Sequence, residues 1–357
     1  MVRIRPASFE DAPAIRLLNQ RNGMGDLDTV AWREGWEKYP FAAEFRDVPI
    51  GWVLETDQGE VVGNLDNVHL LYEIDGRRIK GAVAGGWVVD PAFRGKSLQL
   101  LTAFLRQKSI DLCLVDSAAP ATAQILTAMK IARIPLPDYG TPCFWAVRPR
   151  GFARAALSRR SISGAAFLAW PAGLAVHARD IFRRSGRGRV MSKVRRIREF
   201  DDRFDDLWHS ISTASTRLRA IRTKAVLEWR FRSELAAGRA AIVVAEHEGK
   251  PTGYAVLVRR GGYGMDLYDV AELQCVGDDA SVMKDLLLGS IGIAREDGAD
   301  AVKFLTGTTS KRSVAEALRP YTYLVPHWQL YYKAATPEIG SLLSAGDVWD
   351  LSWFDTF

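Results

Sequence analysis

Two stretches of the chain hold residue types that could do chemistry. One is Val88-Val89-Asp90-Pro91-Ala92-Phe93-Arg94-Gly95-Lys96-Ser97, an apolar run that meets a proline and passes into a segment with apolar residues at helical spacing. It reads as a strand, a turn and a helix start. Free backbone N–H groups and the positive end of a helix dipole attract phosphate, and Arg94 and Lys96 add charge. The other stretch is the run at 61–74, which carries Asp66, His69, Tyr72 and Glu73. Strand alternation puts Asp66 and Tyr72 on one face and His69 and Glu73 on the other. His69 is the first choice for a proton acceptor, because an unperturbed imidazole titrates near neutral pH. A hydrogen-bonded structural histidine is the commoner role. The five histidines (His69, His177, His209, His247, His327) show no close ligand spacing, and Cys113, Cys143 and Cys275 lie far apart. Neither a metal centre nor a disulfide framework is expected, and a reducing compartment fits.

The elements that must hold these residues come in a repeated order. At 357 residues the chain is long enough for two cores, and 48 % apolar with 25 % charged residues excludes disorder, collagen and coiled coil. Val2-Arg3-Ile4-Arg5 and Phe9-Glu10-Asp11 are echoed by Val194-Arg195-Arg196-Ile197-Arg198 and Asp201-Asp202. Trp52-Val53-Leu54-Glu55 before Gly59 is echoed, at the same offset of about 190 residues, by Ile242-Val243-Val244-Ala245 before Gly249. Two echoes in register predict a duplicated α/β domain. In the first copy the pattern predicts helices over about 9–38 and strands at 50–57, 61–74 and 77–90, with a hairpin turn at Asp75-Gly76. A helix from Ser97, a strand at 112–115, a helix over about 121–132 and a closing strand around 144–147 complete it.

This order, together with Val89 to Leu101, resembles the GNAT superfamily of acyl-CoA N-acyltransferases. The resemblance covers roughly 1–148, with a weaker version over 190–333. It implies a mixed α/β chain of two GNAT-like domains, 1–148 and 193–357, joined by a basic helical linker at 149–192. Each domain would be a mostly antiparallel mixed sheet flanked by helices. The strand before the turn would splay from its neighbour, with the backbone of Val88 and Val89 pairing with pantetheine. Arg94, Gly95, Lys96 and Ser97 would hold the pyrophosphate of acetyl-CoA or another acyl-CoA, and no metal is implied. Two positions depart from the family turn, because Ser97 and Gln99 stand where glycine or alanine is usual. The helical tyrosine that protonates the leaving thiolate in many members falls on Leu126. In the second copy, Gly277-Asp278-Asp279 puts two aspartates where pyrophosphate would sit. The first copy is therefore the expected site of direct transfer to a primary amine, with His69 and Glu73 as the groups that take the proton. Asp266, Asp269 and Glu272 on the matching strand of the second copy read as a solvated acidic face or as a grip on an amine. The acceptor would be an amino sugar, an amino acid or a lipid-linked amine.

The net charge of +6 is an average of unlike parts. Residues 148–198 hold fourteen Arg or Lys against one acid, Asp180, a net of +13, so the rest of the chain carries −7. Within the basic stretch, Ser161 to Ala178 are eighteen uncharged residues including Phe167-Leu168-Ala169-Trp170-Pro171. Three readings compete: an interdomain helix, an interfacial segment on anionic lipid through residues 150–198, and phosphate contacts to nucleic acid. The first is favoured, and nucleic acid is disfavoured because the run Arg183 to Arg189 lacks interleaved aromatics. The tail Gly346 to Thr356, with Trp349 and Trp353, reads as docking on its own domain or as stacking on sugar, docking being favoured. The tail and Leu227-Glu228-Trp229-Arg230-Phe231 also resemble uncharacterised tandem GNAT proteins of bacterial envelope and polysaccharide gene neighbourhoods. An aminoacyl-tRNA-dependent transferase of the Fem type, gripping RNA through Arg183, Arg184, Arg187 and Arg189, is one alternative. A non-catalytic GNAT-like module at a membrane is another. The N-terminus has no apolar signal region, so a cytoplasmic chain is expected, with peripheral attachment at the inner face of the cytoplasmic membrane as its variant.

Overall fold

A computed structural model of the chain describes residues 1–136, 139, 141–160, 162, 164–184, 193–322 and 329–356. The first copy runs β1 (Val2–Pro6), α1 (Ala12–Arg21), α2 (Thr29–Glu37), β2 (Gly51–Thr56), β3 (Val61–Ile74), β4 (Arg77–Val89), α3 (Ser97–Leu105), β5 (Leu112–Ala118), α4 (Pro120–Ala128), β6 (Ala132–Arg133) and β7 (Cys143–Ala146). Two helices follow, α5 (Pro149–Arg159) and α6 (Ala165–Arg184). The second copy begins with β8 (Lys193–Ile197), α7 (Arg203–Thr213), β9 (Arg219–Ala220), α8 (Lys224–Ala236), β10 (Ala240–His247), β11 (Lys250–Gly262) and β12 (Met265–Cys275). It ends with α9 (Ala280–Glu296), β13 (Ala301–Phe304), α10 (Thr309–Ala317), β14 (Tyr321–Thr322), β15 (Gln329–Ala334) and α11 (Pro337–Leu342). Apart from β9 and α11, the second list repeats the first element for element, as the sequence echoes predicted.

The centre of the first sheet is the β3–β4 hairpin. Asp75 and Gly76 have φ of 49° and 71°, the left-handed pair that a tight two-residue turn requires. β1 and β2 extend the sheet on one side, and β5 joins β4 in parallel on the other. The second sheet has the same plan: β8, β10, β11 and β12 are antiparallel neighbours and β13 joins β12 in parallel. Apolar faces of both sheets are covered by helices, with Leu100, Leu101 and Phe104 of α3 and Leu286 and Leu287 of α9 fully buried.

The closing strands are exchanged. The strand around 144–147, expected to complete the first copy, pairs antiparallel with β13 of the second sheet, Trp145 opposite Val302. In return β15 pairs antiparallel with β5 of the first sheet, Tyr332 opposite Leu114. Each parallel strand would otherwise end its sheet with an open edge, and here the other copy covers it. Both sheets therefore contain strands from both halves of the sequence.

The linker is helical, as expected. α5 is held by Phe152, Ala153 and Ala155, which are buried. α6 crosses it closely, Gly173 lying against the backbone of Arg150. No helix among the described residues is long and apolar enough to cross a membrane.

Candidate active site

The ladder between β4 and β5 runs from Gly81 opposite Leu112 to Val83 opposite Leu114 and stops there. β4 continues to Val89 and β5 to Ala118, so the two strands splay apart beyond Val83. On its other side β4 stays paired with β3, Val88 opposite Asn64 and Val89 opposite Gly63, and both valines are buried. The register shifts by a bulge between Asn64 and Asp66, opposite Gly85 to Val88. Gly86 in this bulge has φ of 51°, and a Cβ there would overlap the Asp66 carboxylate. The small residues of β4 thus make room for side chains of β3, since the ring of Tyr72 fills the space at Gly81 in the same way.

Asp66 is the group this bulge presents. Its side chain accepts hydrogen bonds from Asn64 Nδ2 at 2.9 Å and from Trp32 Nε1 on α2 at 3.3 Å. Asn64 Nδ2 also donates to the Gly86 carbonyl at 3.2 Å, which ties the amide to the bulge. Burial pushes the Asp66 carboxyl up to about 6, against the pull of those two donors. Asn64 Oδ1 is buried and accepts from no described residue. A carboxylate that titrates near 6 beside an orphan amide oxygen is an acceptor pair suited to the N–H groups of an amine. Gly86→Ala is expected to push the Asp66 side chain aside, lowering turnover about a hundredfold while acyl-CoA affinity is retained; steady-state kinetics beside titration calorimetry would show the split.

The other sequence candidates fall elsewhere. His69 points to the opposite face of β3, stacks on Phe45 with centroids 4.8 Å apart, and lies 3.2 Å from the Pro49 carbonyl. Asn67 Nδ2 lies 3.3 Å from the same Nε2, so the ring nitrogen sits between an amide donor and a carbonyl acceptor. Burial lowers the imidazole to about 4, which makes it a weak base held in packing. Glu73 sits opposite Arg78 and Arg219 at the far end of β3, about 23 Å along the strand from Asp66. The structure does not bring it to the splay. Leu126 is buried in α4, so no hydroxyl stands at that position. The buried hydroxyls of Tyr72 and Tyr139 make no hydrogen bond to a described residue. Tyr139 lies in a coil that no sequence pattern marked.

The turn after β4 is tighter than the resemblance implied. Pro91–Lys96 form a 3-10 helix, whose N–H groups are used in i→i+3 bonds, and Ser97 N–H donates to the Arg94 carbonyl. Arg94, Gly95 and Lys96 are exposed, and no side chain caps α3. Anion attraction therefore rests on the two cationic side chains and the helix dipole rather than on free backbone N–H groups of an open loop.

The second copy has no such divergence, because β13 ends at Phe304, where its ladder with β12 ends. β12 and β13 pair from Leu267 opposite Ala301 to Val270 opposite Phe304, while β12 runs on to Cys275. Here the start of α9 is closed, because Asp279 accepts from the N–H groups of Ser281 and Val282. Asp278 is paired with Arg217 and Arg219 at 2.9 and 2.8 Å. The C-terminal tail lies against β12 and the segment that follows β13. Leu351 packs its backbone on Gly307 just after β13, Ser352 Oγ donates to Glu272 of β12 at 2.9 Å, and Gln274 Nε2 of β12 reaches Asp350 at 3.4 Å. Trp349 and Phe354 are fully buried, so the tail docks on its own chain. The acids of β12 are each matched by a cation: Asp266 with Arg259, Asp269 with Lys303 and Glu272 with Arg222. Asp269 and Glu272 are buried and form neither a solvated face nor an open grip, whereas Asp266 stays half exposed beside Arg259.

No family model matches the sequence, and no curated protein matches it. Solved structures do. A GCN5-related N-acetyltransferase from Anabaena variabilis aligns over 94 % of this chain and 73 % of its own, with TM-score 0.59 and 12 % identity. A probable N-acyltransferase of unknown function from Enterococcus faecalis aligns over 94 % and 72 %, with TM-score 0.57 and 11 % identity. A GCN5-related N-acetyltransferase from Kribbella flavida aligns over 94 % and 71 %, with TM-score 0.55 and 17 % identity. At these identities the likeness establishes the fold, which is the GNAT fold.

Proposed function

We propose that the protein is an acyl-CoA-dependent N-acyltransferase with one working site, in the first copy. The observation that carries this is the β4–β5 splay with the Asp66–Asn64 acceptor pair at its bulge. The fold-level likeness to N-acetyltransferases supports it as analogy.

The residues present suit an acyl-CoA in the first copy. The diverging edge of β4 from Ala84 to Val89 offers backbone groups to pantetheine, and Arg94, Lys96 and the start of α3 attract the pyrophosphate. Bound there, acyl-CoA supplies a thioester carbonyl open to attack. Asp66 takes the proton that the ammonium of the acceptor must lose, and Asn64 Oδ1 holds a second N–H so that the lone pair is directed. A carbon–nitrogen bond then forms as the carbon–sulfur bond breaks, and the departing CoA thiolate takes up the second proton that the nitrogen releases. Backbone N–H groups of the splayed β4 edge stabilise charge on the carbonyl oxygen. In the second copy, the Asp279 cap and the docked tail argue against a second acyl-CoA site.

Titration calorimetry is expected to give one acyl-CoA bound per chain. Arg94→Glu is expected to weaken it about ten- to a hundredfold, the range for a hydrogen bond to a charged group. Two sites per chain, or no binding at millimolar acyl-CoA, would overturn the proposal. The RNA-dependent alternative rests on Arg187 and Arg189, which lie outside the described residues, as do the side chains of Arg183 and Arg184, and His327 of the histidine set.

A further inference from the structure

α6 is built inside out. Its buried positions are Ala169, Gly173 and Asp180, with Val176 partly buried, a set at helical spacing that is mostly small. Its outward positions carry the bulk: Phe167 is 88 % exposed, Trp170 60 %, Leu174 53 % and Ile181 52 %. These four recur at i, i+3, i+7 and i+14, one stripe about 21 Å long. Phe167 and Trp170 are the only aromatic side chains so exposed among the described residues. A helix that packs small residues inward and holds Phe, Trp, Leu and Ile in water presents a surface meant to be covered.

The charges around the stripe say by what. Arg150, Arg154 and Arg160 on the preceding helix and turn are exposed and form no ion pair with a described residue. The one acid of this region, Asp180, faces inward toward the Tyr321 hydroxyl at 3.4 Å. The outer surface of the α5–α6 pair is therefore apolar along its crest and purely cationic at its flank. A second copy would bring the same arginines against themselves. Nucleic acid would leave the aliphatic Leu174 and Ile181 without a partner. We infer that the α5–α6 pair is an interfacial anchor that lies on an anionic lipid bilayer, its crest among acyl chains and its arginines at headgroup phosphates. Gly173 against Arg150 fixes the two helices close together, so crest and flank meet the bilayer in one plane.

The test is co-sedimentation of the full chain with phosphatidylcholine vesicles that contain phosphatidylglycerol, beside vesicles of phosphatidylcholine alone. Salt-sensitive binding to the anionic vesicles is expected, with a blue shift of tryptophan emission that Trp170→Phe diminishes. Phe167→Ser and Trp170→Ser are each expected to lower the partition coefficient about tenfold, and each of Arg150→Gln, Arg154→Gln and Arg160→Gln about fivefold. These residues are exposed, so circular dichroism and acyl-CoA affinity should stay as in the parent, and this result does not depend on the acyltransferase reading. Absence of binding to anionic vesicles at low salt would overturn the inference. So would a concentration-dependent dimer abolished by Phe167→Ser, or RNA binding that the arginine variants remove while vesicle binding is missing.

Discussion

Asp66→Asn is expected to lower kcat/KM by about 10²- to 10⁴-fold, the usual worth of a positioned general base, with acyl-CoA affinity unchanged. The parent should gain activity as pH rises, with an inflection near 6, because burial places the Asp66 carboxyl at about that value and only its ionised form can accept a proton. The inflection should vanish in the variant. Stability separates this role from a structural one. The Asp66 pKa is raised from 3.8 to about 6, so between those values the native state binds more protons than the unfolded chain. Folding stability then falls as pH rises across that window, by about 3 kcal/mol for this group once it is fully ionised. An amide carries no such penalty, so above pH 6 the variant should be no less stable than the parent while far less active. A residue that costs stability and supplies turnover is what a strained site predicts. Activity within threefold of the parent, or an unmoved pH profile, would remove Asp66 from the mechanism. His69→Gln is the natural control, since its packing against Phe45 makes it matter for stability and leave the profile in place.

The difference between Asp66 and His69 shows what the sequence could and could not reveal. Alternation placed the two on opposite faces of β3, which the structure bears out, but pattern alone does not say which face meets the splay. His69 looked suitable because its ordinary pKa is near neutral, and that value holds only in water. Stacked on Phe45 and bonded to Pro49, both brought from a preceding loop, the imidazole loses its basicity to burial, whereas the same desolvation turns Asp66 into the better base. The duplication was legible because the repeated segments carry the same local signals, and the Asp75-Gly76 hairpin was legible because a two-residue turn is a local decision. The strand exchange was not. Cys143 to Ala146 has the apolar pattern of any core strand, and nothing in it distinguishes β5 from β13 as its neighbour. Of the pyrophosphate turn, the charges were readable and the conformation was not: Pro91 starts a 3-10 helix that uses the N–H groups an open loop would have offered.

The second large effect is expected far from Asp66. Asp350→Ala should destabilise the fold by about 3 to 5 kcal/mol, as measured by the urea midpoint, although it lies in a C-terminal tail. The carboxylate accepts from Arg219 Nε at 2.6 Å and from Lys311 Nζ at 2.5 Å, and all three side chains are buried. Burial alone would raise its pKa, but Lys311 and Arg219 outweigh that and hold the carboxyl well below the usual carboxylate range. Its contribution is therefore present above about pH 4, where the unfolded chain's carboxyl ionises, and is lost as pH falls toward the folded value. Truncation leaves Arg219 with Asp278 but deprives Lys311 of its carboxylate partner. Most of the loss is the cost of that stranded ammonium, so Lys311→Met in the Asp350→Ala background should recover a large part of it, and the double-mutant cycle should show coupling above 1 kcal/mol. A tail that merely rested on the surface would give a change within about 0.5 kcal/mol and no coupling. Loosening the tail also bears on the second copy, where it lies against β12. The Asp279 cap at the start of α9 does not involve Asp350, so the variant should still bind a single acyl-CoA per chain.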